Sequence, residues 1–159
     1  MSEQRNTYLV EVAGLQRRLP LFEVAPGLSI AVLNILGDTE FVEACAVALA
    51  EKLAALPYDI LVTAEAKSIP LAHALSVGTR KPYVVLRKTY KPYMGAALSA
   101  ETHSITTGRP QTLYLDEKDH DLLRGRRTVI LDDVVSTGST LSGMRLLMEK
   151  ASAQVVGEA

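Results

Sequence analysis

The sequence predicts an α/β fold, a mainly parallel twisted sheet flanked by helices and preceded by a small N-terminal β segment. Three observations carry that prediction. From residue 38 onward, strand-like apolar runs alternate with helix-like ones, the order that builds β-α-β crossovers. The run "TVIL" (128–131) is apolar on both faces, as a central parallel strand must be. The first thirty-odd residues instead alternate as short strands ("TYLVEVAGL", "RRLPLFEVA", "LSIAVLNIL") broken by Gly14, Pro20, Pro26 and Gly27.

The elements follow in order. Gly37-Asp38-Thr39 reads as a helix start with Asp38 or Thr39 as cap, and Val42, Cys45, Ala46, Leu49 and Leu53 recur at helical spacing until Pro57. "YDILVTA" (58–64) reads as a buried strand, "SIPLAHALSVG" (68–78) as a helix and "KPYVVLRK" (81–88) as the next strand. Residues 89–103 show no clean period and contain Pro92 and Gly95, which predicts a mobile surface loop. "SITTGRPQTLYLD" predicts a hairpin turning at Gly108-Arg109-Pro110, and "EKDHDLLRG" a short helix. "RRTVILDD" is then a strand, "STLSGMRLLMEKASA" a helix and "QVVGEA" the beginning of a further strand.

Composition narrows the function classes. A chain of 159 residues fits one domain with a core of its own. The formal net charge of −1 offers no basic excess for nucleic acid or an anionic membrane surface. A single cysteine, Cys45, excludes an internal disulfide framework and a multi-cysteine zinc site, and its amphipathic surroundings predict a buried thiol. The opening residues carry no signal-peptide pattern and no apolar run would span a bilayer, so the expectation is a soluble, cytoplasmic protein.

The chemistry concentrates in "VILDDVVSTGSTL" (129–141). An apolar strand delivers Asp132 and Asp133 to the carboxyl end of the sheet, where open α/β folds bind ligands. Small residues Ser136, Thr137, Gly138, Ser139 and Thr140 then lead into a helix. Free N–H groups, hydroxyls and the helix dipole there form an anion cradle. Carboxylates accept from a diol and the loop holds a phosphate, so a phosphorylated sugar with free vicinal hydroxyls satisfies both. The duller alternative is that two acids merely end a strand and hydroxyls merely cap a helix. "GSTLSGMR" (138–145) has the glycine interval of a nucleotide-binding P-loop, but Met144 stands where its lysine must be.

The stretch 129–141 resembles the phosphoribosyl-pyrophosphate (PRPP) signature of the type I phosphoribosyltransferases: apolar strand, two acids, two apolar residues, then S/A-T-G-x-T. The resemblance covers about residues 38–159 and is nearest the adenine/purine branch. It implies the type I phosphoribosyltransferase fold, with 1–36 a hood-like β segment and 37–159 the PRPP-binding core. Relatives usually continue through one or two more strands.

Residue by residue, the resemblance implies that Asp132 and Asp133 hold the ribose hydroxyls, and Mg²⁺ mostly indirectly through PRPP and water. Val134 and Ser136 to Thr140 would hold the 5′-phosphate. "TAEAKSI" (63–69) resembles the branch's pyrophosphate loop, acid–small–Arg–Gly–aromatic. Glu65, Ala66, Lys67 and Ser68 take those positions, with lysine in place of arginine and serine in place of glycine. A cis non-proline peptide within Glu65-Ala66-Lys67 is also implied. "VVLRKTYKP" resembles the branch's V-R-K-x-x-K-L-P, which puts Arg87, Lys88 and Lys91 at the pyrophosphate. Lys67 and Arg87, with the acids, would be catalytic. Residues 89–107 would be the loop that closes over the site. Where the branch has E-S-Y-x-L-E-Y-G, this chain places Thr106 and Thr107 at the glutamate and tyrosine, with Glu101 and His103 as candidate substitutes. The acceptor base would lie against Phe22, Val24 and Ala25, unless these are plain core strands.

The implied function is transfer of 5-phosphoribose from PRPP to a purine base, adenine first and xanthine or another oxopurine next. The products would be a nucleoside monophosphate and pyrophosphate, and the enzyme a homodimer. The rival is a PRPP-binding sensor without transferase activity, since "KSIPLA" is also similar to the "KGIPLA" of purine-gene regulators. An orotate or pyrimidine enzyme is disfavoured by the loop sequence.

Overall fold

The computed structural model describes residues 6–103 and 110–159. Its centre is a four-stranded parallel sheet of β4 (Ile60–Ala64), β5 (Tyr83–Leu86), β8 (Arg127–Leu131) and β9 (Gln154–Glu158), in the order β5-β4-β8-β9. All three pairings are parallel, as the β-α-β order predicts.

Strand alternation sorts the core into two layers. Ile60, Val62, Ala64, Val84, Leu86 and Ile130 face helix α4 (Ser139–Lys150), short α3 (His120–Leu123) and a hairpin of β6 (Leu98–His103) and β7 (Pro110–Leu115). Leu61, Val129 and Leu131 face α1 (Thr39–Leu53) and α2 (Ile69–Thr79) on the other side. Removing a fully buried leucine such as Leu61 or Leu147 from these layers costs about 2–5 kcal/mol.

The caps explain where α1 starts. Asp38 is its N-cap, and Oδ1 accepts from the Phe41 N–H at 3.2 Å. The same carboxylate takes two hydrogen bonds from Arg17 (2.6 and 2.9 Å), which fastens the N-terminal sheet to the core. That antiparallel sheet consists of β1 (Thr7–Val12), β2 (Leu15–Ala25) and β3 (Leu28–Ala31).

Two expectations change. The segment read as a loop through 103 is a strand from Leu98, paired antiparallel with β7. Its inward positions are Leu98, Ala100 and Thr102, and with a small residue and a polar one after Leu98 the alternation does not register as hydrophobic. Gly143 of α4 makes this packing possible: a Cβ there would sit 2.6 Å from Thr102 Cγ2 and 3.2 Å from Leu113 Cδ1. The preceding residues are also tied down. Met94 is fully buried, Tyr90 donates to the Gly95 carbonyl (3.1 Å), and Glu117 accepts from the Ala96 N–H (2.7 Å). The turn between β6 and β7, with Thr106, Thr107, Gly108 and Arg109, lies outside the described residues.

The second correction concerns Phe22, Val24 and Ala25. They do not form core strands. Phe22 and Val24 are 37% and 53% exposed, and β3 opposite them is exposed throughout. A three-stranded sheet has too little material of its own to cover both faces. Cys45 is half-buried rather than buried, on the flank of α1.

Candidate functional site

The sheet order sets the place. β4 leads through α2 to β5 on one side, whereas β8 leads through α4 to β9 on the other. The adjacent carboxyl ends of β4 and β8, where Thr63 pairs with Leu131, are therefore the switch point at which the connections part to opposite faces. Glu65 to Ser68 leave one strand there and Asp132 to Gly138 the other.

Asp132 follows β8 directly. Its N–H donates to the Ala159 carbonyl (3.1 Å) and its Oδ1 accepts from the Asp133 N–H (3.0 Å). Among the described residues no cationic side chain pairs with either acid. Burial pushes the Asp132 pKa up to about 6, and the Asp133 carboxylate adds repulsion; the Asp133 N–H and the Lys88 charge act the other way. Lys88, just beyond β5, thus acts electrostatically on Asp132.

The next residues line a cavity of about 40 Å³ that contains Asp132, Val134, Val135, Ser136, Thr137, Gly138, Ser139, Thr140 and Leu141. Gly138 caps α4 with φ +79°, a left-handed conformation that favours glycine and turns the chain tightly into the helix. Among the described residues, the Ser136, Thr137, Gly138 and Thr140 N–H groups donate to no protein acceptor. Only the Ser139 N–H is engaged, loosely, by Thr137 Oγ1 at 3.4 Å. Unpaired N–H groups at a helix start, ringed by hydroxyls, suit an anion.

On the neighbouring strand end the Glu65-Ala66 peptide is cis, as the resemblance implies. Glu65 is the organiser of this half. Its Oε2 accepts from Arg87 Nε (2.6 Å) and its Oε1 from the Lys88 N–H (2.5 Å). Burial works to raise the Glu65 pKa, but the Lys88 and Arg87 hydrogen bonds outweigh it and hold the carboxyl below its ordinary value. Arg87 in turn stays firmly charged, with Tyr93 Oη 3.5 Å from Nη1. Lys67 is exposed, and its Nζ lies 3.4 Å from the Leu33 carbonyl.

The remaining predicted residues divide. Ser68 is buried and its hydroxyl donates to the Ala64 carbonyl (2.9 Å), so only its backbone is left for a ligand. Lys91 is exposed at the start of a 3₁₀ turn, and its N–H meets Met94 Sδ at 3.3 Å. Phe22, Val24 and Ala25 stand on the N-terminal sheet rather than at the strand ends. Glu101 is exposed on β6, which also carries His103.

Residue-by-residue reading missed Thr63, a fully buried hydroxyl between the two loops. The available signal was a polar residue inside an otherwise apolar strand. It also missed that Glu65 accepts from Arg87 Nε and the Lys88 N–H.

An Mg²⁺ ion suits this donor set. Two adjacent carboxylates, one raised by burial beside its neighbour, match an ion bound through one or two acids, waters and substrate oxygens. Among the described residues no group of three or more ligating side chains offers a self-sufficient cage.

Residues 32–159 match the family model described as "Phosphoribosyl transferase domain". A hypoxanthine/guanine phosphoribosyltransferase from Methanococcus voltae is 41% identical over 98 residues, 62% of this chain and 49% of that protein. The purine biosynthesis transcriptional repressor PurR of Bacillus subtilis is 29% identical over 134 residues, 84% of this chain and 46% of that protein. The chain thus spans about half the length of these curated relatives. In fold it is similar to the crystal structure of adenine phosphoribosyltransferase from Thermoanaerobacter pseudethanolicus, with a TM-score of 0.73 at 24% identity over 88% of this chain and 80% of that one. Among the described residues no helix is long and apolar enough to cross a membrane. The family match over four-fifths of the chain, on a type I phosphoribosyltransferase fold, shows that this protein belongs to the phosphoribosyl transferase domain family.

Proposed function

We infer that the chain binds PRPP at the β4/β8 switch point and transfers its 5-phosphoribose to a purine base. The observation that carries this reading is the pairing of an acid pair with an unengaged N–H loop on one strand end, beside the Glu65-Arg87-Lys88 cluster on the next. Asp132 and Asp133 accept from the ribose hydroxyls, and Val134 with Ser136 to Thr140 hold the 5′-phosphate. The Ala66, Lys67 and Ser68 backbone, the Lys67 and Arg87 side chains and Lys88 face the pyrophosphate, with Lys91 at the periphery. Asp132 and Asp133 would hold Mg²⁺ mostly through PRPP and water, and the ion would supply charge neutralisation for the departing pyrophosphate.

In the reaction the bond from ribose C1′ to the pyrophosphate oxygen breaks and its electron pair leaves with pyrophosphate. A base nitrogen supplies the pair for the new C1′–N bond and releases its proton to water, giving a nucleoside monophosphate. Lys67, Arg87 and Lys88 stabilise the charge that builds on the leaving group. The hood near Phe22, Val24 and Ala25 is the candidate wall for the base. Adenine is the first base to test, from the loop sequences; hypoxanthine and guanine follow, since the Methanococcus relative is named for them. A cytoplasmic homodimer completes the reading.

A second reading has its own support: the match to a transcriptional repressor covers more of this chain, and Thr106 stands where the branch carries its loop glutamate. It makes the chain a PRPP sensor. Incubation with Mg-PRPP and a panel of purine bases, followed by assay of released pyrophosphate, decides. Pyrophosphate release with one base supports transfer; tight PRPP binding with no release on any base supports the sensor. Failure to bind PRPP at all defeats both.

A further inference from the structure

Thr63 and Ser68 link the two halves of the site through buried hydroxyls. Thr63 Oγ1 lies 2.8 Å from the Leu131 carbonyl oxygen and 2.8 Å from Ser68 Oγ. Ser68 Oγ–H donates to the Ala64 carbonyl at 2.9 Å, and the Thr63 proton is shared between its two neighbours. Both residues are at most 1% exposed. The two carbonyls at the ends of this chain close their strands: Asp132 follows Leu131, and Glu65 follows Ala64.

Burial alone does not call for hydroxyls here. A valine at 63 would suit a strand whose other members are Ile60, Leu61, Val62 and Ala64, and would leave no polar group to satisfy. The parallel ladder already joins β4 to β8. What the hydroxyls add is a bridge from that ladder across the cis peptide to the first residue before α2. Ser68 gives up the usual work of a serine in that place: it occupies the N-cap of α2 yet makes no capping hydrogen bond. Its hydroxyl points into the bridge instead.

We propose that Thr63 and Ser68 are positioning residues that hold the Glu65–Lys67 loop and the Asp132–Asp133 pair at one fixed spacing, so that a ligand spanning both is recognised as a unit. This rests on the PRPP reading above. Only a ligand that reaches both loops is sensitive to their spacing. Pyrophosphate and ribose 5-phosphate, each occupying one half, tolerate a shift of a few tenths of an ångström that PRPP does not.

Calorimetric titration of Mg-PRPP, Mg-pyrophosphate and ribose 5-phosphate tests this on wild type, T63V, S68A, T63S and the T63V/S68A double variant, with Tm recorded for each. T63V and S68A should each lose about tenfold in PRPP affinity while the two fragments change by less than about twofold. The double variant should be no worse than either single one, because both act through one bridge. T63S, which keeps the hydroxyl, should recover the PRPP affinity. Unchanged PRPP binding in T63V and S68A overturns the inference, and so does a parallel loss of all three ligands that tracks Tm. Wild-type protein that binds no PRPP overturns the functional reading itself, and the inference with it.

Discussion

The same two strands, β4 and β8, end in opposite ways. At their amino ends Asp59 and Arg127 form a closed set: Arg127 Nη2 meets Asp59 Oδ1 at 2.8 Å, and its Nε and N–H meet Oδ2 at 3.1 and 3.0 Å. Those hydrogen bonds hold the Asp59 carboxyl well below the usual carboxylate range. At the carboxyl ends Asp132 has a like charge beside it and no cationic partner among the described residues, and burial takes it up to about 6. One aspartate is paired with a guanidinium, whereas the other, among the described residues, accepts only the Asp133 N–H and has no ion-pair partner. Satisfied charge at one end serves the fold. A buried acid without an ion-pair partner at the other, next to N–H groups with no acceptor among the described residues, marks a candidate binding site.

The sharpest way to break that contrast is to neutralise the unsatisfied end. D132N and D133N should each weaken Mg-PRPP binding on the order of 100-fold, because an amide neither carries the charge nor accepts as well from a diol. Stability should move the other way for D132N. The folded pKa lies above the unfolded value of about 3.9, so the ionised acid subtracts stability near neutral pH and the loss fades as pH falls toward 4. D132N should therefore be more stable than wild type by about 1 kcal/mol at pH 7.5, solvent screening keeping the gain small, with no difference near pH 4. Denaturant melts at the two pH values check it. A destabilised D132N that still binds PRPP would erase the distinction.

Next in size is the pH dependence of binding. If Asp132 grips the ribose hydroxyls as proposed, the ionised acid accepts from them better than the protonated one, so PRPP affinity should rise as pH climbs through about 6. In D132N the acid limb should flatten, leaving only the part that comes from the ligand's own phosphates.

A smaller effect is expected at Lys67, whose exposed ammonium is only loosely held by the Leu33 carbonyl. K67A should lose about tenfold in PRPP affinity or less, and K67R, which restores a planar fork, should bind pyrophosphate a few-fold tighter than wild type. Fluorescence or calorimetric titration resolves both.

The smallest functional effect belongs to the satisfied end. D59N should leave PRPP affinity unchanged and lower Tm. The sign is opposite to that at Asp132: stability from a depressed carboxyl is present above its unfolded pKa and lost as pH falls through the folded one. The Tm gap between D59N and wild type should thus be open at pH 7 and close in strong acid.

Much of this could be read from the residues in order. Helix α1 begins where Asp38 and its spacing say, and β4, β5 and β8 announce themselves as short apolar runs. Periodicity failed where side chains were small: Ala100 and Thr102 face inward on β6 without looking hydrophobic, and the packing that buries them depends on Gly143, forty-odd residues away. The N-terminal strands failed in the other direction. Phe22, Val24, Leu28 and Ile30 look like core and are exposed, because apolar character says nothing about whether a second layer exists to cover it.

The sequence on its own determined the local chemistry: which strand carries the acids, which loop can turn at Gly138, and which segments bring cations. Those follow from hydrophobic period, turn residues and side-chain type, all properties of neighbours along the chain. Tertiary structure alone decided that Glu65 would clamp Arg87 and Lys88, that Thr63 and Ser68 would join the two loops, and that Asp59 would be neutralised while Asp132 would not. Each of these depends on strands 20 to 70 residues apart becoming neighbours in one sheet. Such pairing is set by the packing of the whole core, which no short stretch of sequence contains.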